Sequence, residues 1–183
     1  MRIFVAGGTG VVGARLLPLL VDLGYDVSAT TTSEAKTSQL RRVGTTAYVV
    51  DLLDRDAVMK AVADAQPEVI VHQATALSAM GDNMRRFDRY FAQTNRLRTD
   101  GTHNLIEAGI GAGTRRLVAQ SFGGWSYERA GGLVKTEEDP LDPHPPKVFR
   151  TTLSALEEME AAVLGADIEG LALRYGFFYG PGT

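Results

Sequence analysis

The sequence predicts one α/β domain over residues 1–183, built on a doubly wound parallel sheet of order 3-2-1-4-5-6. Three observations predict it. Apolar runs of strand length alternate with segments whose apolar residues recur at helical spacing. Strands joined through helices run parallel, with both faces of the sheet covered. A cluster of glycines ends the first run and opens the first helix, and the six runs in this rhythm fit the doubly wound order.

Arg2–Ala6 is a short apolar run ending in glycine, a buried strand. Val11–Leu23 has helical spacing and stops at Gly24, although Pro18 deletes one backbone hydrogen bond inside it. Asp26–Thr31 is the second strand. Ser33 can cap a helix through Val43 that ends at Gly44. Thr45–Val50, dense in β-branched residues, is the third strand. Asp54 caps a helix ending near Ala65, and Pro67 introduces the fourth strand, Glu68–His72. A long helical region runs from about Asn83 to Ala108, followed by a fifth strand, Arg116–Gln120. Residues 122–148 are irregular and rich in Gly and Pro; Thr151–Leu164 is a helix and Gly170–Tyr175 the sixth strand.

Composition narrows the function classes. The chain is 44% hydrophobic and 22% charged with a formal charge of −3, ordinary globular material whose mild acidity argues against a nucleic-acid or anionic-membrane surface. It has no cysteine, so disulfides, thiolate metal sites and cysteine nucleophiles are out, which suits a cytoplasmic protein. His72, His103 and His144 lie far apart, which gives little support to a His-based metal site. No apolar run approaches the ~20 residues of a membrane span, and Ile3–Ala6 is too short for a signal-peptide core.

Gly7-Gly8-Thr9-Gly10-Val11-Val12-Gly13 is the strongest signal, because it lies between a strand and a helix. Glycine lets the chain turn off the strand, lets the backbone approach a pyrophosphate, and lets the helix pack closely on the sheet. The helix N-terminus then holds the anion. The alternative is a glycine-rich turn with no ligand. The predicted cofactor is NAD(P). At the second-strand end, Thr31 and Thr32 stand where an NAD site carries an acid to accept from the ribose hydroxyls. No acid is there to repel a 2′-phosphate, which slightly favours NADP, although threonines are also ordinary strand-end residues.

With these residues in place, the chain resembles the extended short-chain dehydrogenase/reductases, the NAD-dependent epimerase/dehydratase family with its Rossmann fold. Val49-Val50-Asp51-Leu52 is similar to the family segment whose Asp reaches the adenine amino group, and Val71-His72-Gln73-Ala74-Thr75 to the segment lining the cofactor. Gly101–Ala108 resembles the family's long-helix signature, and Leu173–Gly182 its sixth-strand motif. The cofactor set implied is Gly7, Thr9, Gly10, Val11, Val12, Gly13, Thr31, Thr32, Asp51, Leu52, Gln73, Ala74 and Thr75.

Two departures stand out. The family's Tyr-x-x-x-Lys supplies a proton donor and a cation that lowers its pKa. Phe149 and Leu153 occupy those positions here. Ser121 ends the fifth strand where the family's catalytic hydroxyl belongs, and Tyr127 in the loop beyond it is a candidate displaced acid; the alternatives are a strand-end hydroxyl and a loop-packing ring. The family's helix Asn is off register, since Asn95 lies six residues before Gly101 while Arg98 lies three before it. The resemblance also implies a substrate lobe, most of which would lie beyond Thr183. The function expected is an NAD(P)-binding oxidoreductase or epimerase-like protein with an unknown small-molecule substrate. The alternatives are a non-catalytic dinucleotide-binding module and a non-functional fragment. Arg85, Arg86, Arg89, Arg96 and Arg98 are expected to form a solvated helix face rather than an anion site. Phe87, Tyr90 and Phe91 are core or, since the family pairs through this helix, part of a homodimer interface along 83–108.

Overall fold

The computed structural model describes residues 1–77, 87–124 and 126–180. Six parallel strands form one sheet: β1 (Arg2–Ala6), β2 (Asp26–Thr31), β3 (Thr46–Val49), β4 (Val69–His72), β5 (Arg116–Phe122) and β6 (Glu169–Tyr175), in the order β3-β2-β1-β4-β5-β6. This is the predicted order. Ile3 pairs with Val27 on one side and Val69 on the other, which centres β1 in the sheet.

Successive residues of a strand point to opposite faces, so β1 divides its side chains between two cores. Ile3 and Val5 pack with Val27, Ala29, Leu17 and Leu40 beneath α1 (Gly13–Asp22) and α2 (Thr37–Arg42). Phe4 and Ala6 pack with Val58, Ile70, Leu105, Leu117 and Met159 beneath α3 (Arg55–Ala65), α5 (Thr102–Gly111) and α6 (Arg150–Leu164). Asp54 caps α3 as the sequence predicts, its carboxylate accepting from the Ala57 amide at 3.1 Å.

Local details differ from expectation. Ser33 makes no side-chain cap; the chain first takes a 3₁₀ turn, Glu34–Lys36, and α2 starts after it. The region predicted as one helix is broken in character: α4 (Phe87–Arg96) passes through a π turn at Leu97–Gly101 into α5. Its predicted start, 83–86, lies outside the described residues, as do Arg85, Arg86, Trp125 and residues 181–183. The arginines that are described do not share one solvated face: Arg96 is exposed and pairs with Asp100, whereas Arg98 is 7% exposed. Two residues turn a helix by about 200°, so Arg98 lies on the side opposite Arg96 and the expectation of one shared face fails on helical spacing itself. Among the described residues no helix covers the face of β6 opposite α6, where Leu171 and Leu173 are 39% and 38% exposed.

Candidate functional site

The C-terminal ends of β1 and β4 build the centre of the site. Gly7 leaves β1 at φ +90°, and a Cβ there would lie 2.7 Å from the Ala74 backbone, so the loops after β1 and β4 touch. A Cβ on Gly13 would meet the Gly7 carbonyl oxygen at 2.3 Å, which ties the start of α1 to the turn. At Gly10 a Cβ would meet only that same oxygen, at 3.4 Å, leaving a cradle above the residue. The Gly8 and Gly10 amides are used internally, donating to Thr30 O and Gly7 O. The amides of Val11 and Val12 have no acceptor among the described residues. Open amides at a helix N-terminus beside a cradle without side chains suit an anion.

The rim carries the remaining cofactor candidates. The Thr31 hydroxyl lies 3.2 Å from that of Thr9 and accepts from the Ser33 amide at 3.2 Å. Thr32 is exposed beside it. Exposed Asp51 accepts from the Leu53 amide at 3.0 Å, while the Leu52 side chain is buried and its carbonyl accepts from Asn104 at 2.8 Å. Ala74 closes on Gly7, and Thr75 is exposed next to it. Gln73 is 5% exposed, and its Oε1 has no hydrogen-bond partner among the described residues. An orphaned buried acceptor, unused loop amides and the cradle at Gly10 all fit a dinucleotide at this edge.

The proton-transfer candidates lie at the β5 end. Ser121 is 1% exposed, and its hydroxyl donates to Glu160 of α6. Burial alone would raise the Glu160 carboxyl, but bonds from Arg174 and Ser121 hold it below the usual value. Tyr127 bridges Leu141 across the loop, and its ring faces the Arg174 guanidinium at 5.2 Å. The sequence singles out Ser121 and Tyr127; the Glu160–Arg174 pair that links them escapes it.

Phe149 and Leu153, the residues that the sequence comparison sets against the family's Tyr and Lys, both lie in apolar surroundings. Leu153 is 2% exposed, and Phe149 packs edge-on against Phe87 with ring centroids 4.8 Å apart. Behind them Asn95 Nδ2 donates to Thr152 Oγ1 at 3.1 Å, and Arg98 Nη1 donates to Asn95 Oδ1 at 3.4 Å. His72, at the end of β4, sets Nε2 against Leu97 O at 3.2 Å. Burial, aided by nearby Arg98, lowers its pKa to about 4, so the ring is neutral at pH 7. Burial also lowers Arg98 to about 10. The sequence signals for this cluster are Asn95 and Arg98, six and three residues before Gly101.

A family model described as the NAD dependent epimerase/dehydratase family matches residues 3–183. A Streptomyces 3-diazoavenalumate denitrifying reductase is 45% identical over all of this chain, which spans 58% of that protein. The UDP-glucose 4-epimerase of Thermotoga maritima, solved with UDP-glucose, superposes with TM-score 0.79 at 24% identity over 99% of this chain and 57% of its own. The Thermus thermophilus UDP-glucose 4-epimerase, solved with NAD, gives TM-score 0.76 at 24% identity over 100% and 57%. The chain thus spans little more than half the length of these relatives.

Proposed function

The chain belongs to the NAD-dependent epimerase/dehydratase family, and on that premise we propose that it is the dinucleotide-binding part of an NAD(P)-dependent reductase that works without the family's tyrosine proton donor. What supports this reading is the open space at Gly10 beside the Val11 and Val12 amides, together with the sequence alignment that sets Phe149 and Leu153 against the family's acid and its cation.

In this reading Gly7, Thr9, Gly10, Val11, Val12 and Gly13 hold the pyrophosphate, while Thr31 and Thr32 face the adenosine ribose. Asp51 and Leu52 border the adenine, and Gln73, Ala74 and Thr75 line the nicotinamide side. NADP is preferred over NAD, because no carboxylate stands at the ribose and Lys36 lies close by in the chain. When bound, the nicotinamide would supply a hydride. The 45%-identical relative is named as a denitrifying reductase of a diazo compound. That substrate class suits these residues. A carbon bearing a diazonium group can accept hydride while the C–N electron pair leaves with dinitrogen, and no proton enters that step. Where a substrate does require a proton, Tyr127 is the candidate donor, since the Ser121 hydroxyl is engaged by Glu160. A homodimer along 83–108 is part of the proposal, supported by the exposure of Ala92, Gln93 and Arg96 on α4.

The test is titration with NADH and NADPH, read by nucleotide fluorescence, and then nicotinamide absorbance with an arenediazonium salt and with a simple ketone. Binding, with diazonium-dependent oxidation above the protein-free rate and none with ketone, supports the reading. Binding without turnover supports the second reading, a non-catalytic dinucleotide module, which the missing Tyr and Lys also favour. No binding of either nucleotide at high micromolar concentration overturns both.

A further inference from the structure

A guanidinium with no counter-anion among the described residues lies beside the proposed reacting edge. Arg98 is 7% exposed on the π turn, yet no ion pair involves it among the described residues. Its single hydrogen bond there, from Nη1 to Asn95 Oδ1, is long at 3.4 Å, and its other contact is the Phe91 ring, 6.0 Å from centroid to Cζ. A buried arginine is ordinarily matched by a carboxylate, because an unpaired charge out of water is strongly unfavourable.

The surroundings hold this cation in place without neutralising it. Asn95 Nδ2 donates to Thr152 Oγ1, which fixes Oδ1 toward Arg98. His72 offers a neutral ring and binds the π turn to the last residue of β4 through Leu97 O. The next residues, Gln73 and Ala74, reach the glycine turn. On the other side, Phe91 stacks on Phe87 at 4.1 Å and Phe87 meets Phe149, which the sequence alignment sets against the family's tyrosine. The guanidinium is therefore linked through Phe91 and Phe87 to Phe149, and it sits on a π turn, a helical irregularity that recurs at functional sites.

We propose that Arg98, held by Asn95, is the substrate-anion receptor of this site and binds the carboxylate of a small organic acid. The inference rests on the reading that the ends of β4 and β5 form the reacting edge. In that reading the Val11 and Val12 amides serve the nucleotide phosphates, leaving the second positive site for substrate. A guanidinium fork matches a carboxylate in plane and spacing.

Benzoate and its neutral near-isostere benzamide are titrated calorimetrically into the full chain, with and without saturating NADPH, using wild type, Arg98→Met and Arg98→Lys. NADPH binding is read separately, so failure of the cofactor site is distinguishable from failure of the anion site. The expected result is benzoate binding at least tenfold tighter than benzamide, lost in Arg98→Met and reduced in Arg98→Lys. Ligand-free Arg98→Met should melt no lower than wild type, since an unpaired buried charge has been replaced by a chain of similar length. Equal binding of benzoate and benzamide to wild type overturns the proposal. So does benzoate binding that survives in Arg98→Met, or, should that variant not fold, in Arg98→Lys at full strength.

Discussion

Arg174 and Glu160 meet as a two-point fork, Nε to Oε1 at 2.9 Å and Nη2 to Oε2 at 2.8 Å, with side chains only 19% and 10% exposed. This pair joins β6 to α6, and through Ser121 it joins β5 as well. The same guanidinium reaches Glu137 O and Asp139 O in the loop after β5.

Glu160→Ala would leave a mostly buried guanidinium unmatched. Stability should fall by about 3 kcal/mol, the lower end for breaking such pairs. The pH dependence has a definite sign. The folded carboxyl titrates below its ordinary value of 4.5, so the contribution is full above that value and fades as pH falls through the lower folded pKa. Urea unfolding from pH 7 to pH 3 checks this: Glu160→Gln should flatten the acid end of the wild-type profile.

His72 acts over a higher window. Its folded pKa is about 4 against an ordinary 6.5. Below 6.5 the unfolded chain binds a proton that the folded chain refuses until pH approaches 4. Stability should therefore drop by about 3 kcal/mol across that window. Comparing urea midpoints of wild type and His72→Gln at pH 7, 6, 5 and 4 checks it, since the variant should lose the slope whatever its stability at pH 7.

Two glycines of one loop should fail differently. Gly10→Val adds bulk into the cradle, so the chain should fold while nucleotide affinity falls at least a hundredfold, about 2.7 kcal/mol. Gly13→Ala drives a Cβ into the Gly7 carbonyl, and stability should fall by about 2 kcal/mol. Circular dichroism melts beside fluorescence titration separate the two; a Gly10→Val chain that binds within a few-fold of wild type would make the loop a turn only.

Thr31→Asp tests cofactor choice. Wild type should bind NADPH at least as tightly as NADH, and the carboxylate should shift the ratio toward NADH by about tenfold, roughly 1.4 kcal/mol. A wild-type preference for NADH beyond tenfold contradicts the expectation.

Introducing a Tyr-x-x-x-Lys pair at positions 149 and 153 should not bring about carbonyl reduction. Phe149→Tyr returns a proton donor, but Leu153→Lys places an ammonium at a 2% exposed core position, destabilising the fold by about 3 kcal/mol. The double variant should reduce ketones no faster than wild type. Ser121→Ala and Tyr127→Phe distinguish the hydroxyls: brisk wild-type ketone turnover abolished by Tyr127→Phe would make that tyrosine the acid, worth ~10²–10⁴ in rate.

The strand order is legible in the sequence because each strand is a short apolar run bracketed by Gly, Pro or a capping residue, all local signals. The glycine turn is legible for the same reason. The contacts that escape depend on distance along the chain. Ser121 meets Glu160 across 39 positions, and Arg174 meets Glu160 across 14 with a strand break between them. No periodicity relates such residues. Grouping the arginines by nearness in sequence sets Arg98 with the solvent-facing ones, although two residues turn a helix by about 200° and carry it to the side opposite Arg96.

The π turn at Leu97–Gly101 has a consequence of its own. An α-helix repeats its faces every 3.6 residues, and a π turn holds one residue more than an α turn. The segment from Phe87 to Gly111 thus keeps one continuous rod while its sequence is read in two phases. The first phase sets Phe87 and Phe91 beside Phe149, and the second sets Leu105 and Ala108 against the sheet. Removing one residue between 97 and 101 would bring the two readings into a single register and turn one set of faces away from its partners. The extra residue is therefore a phase offset on which both halves of the rod depend.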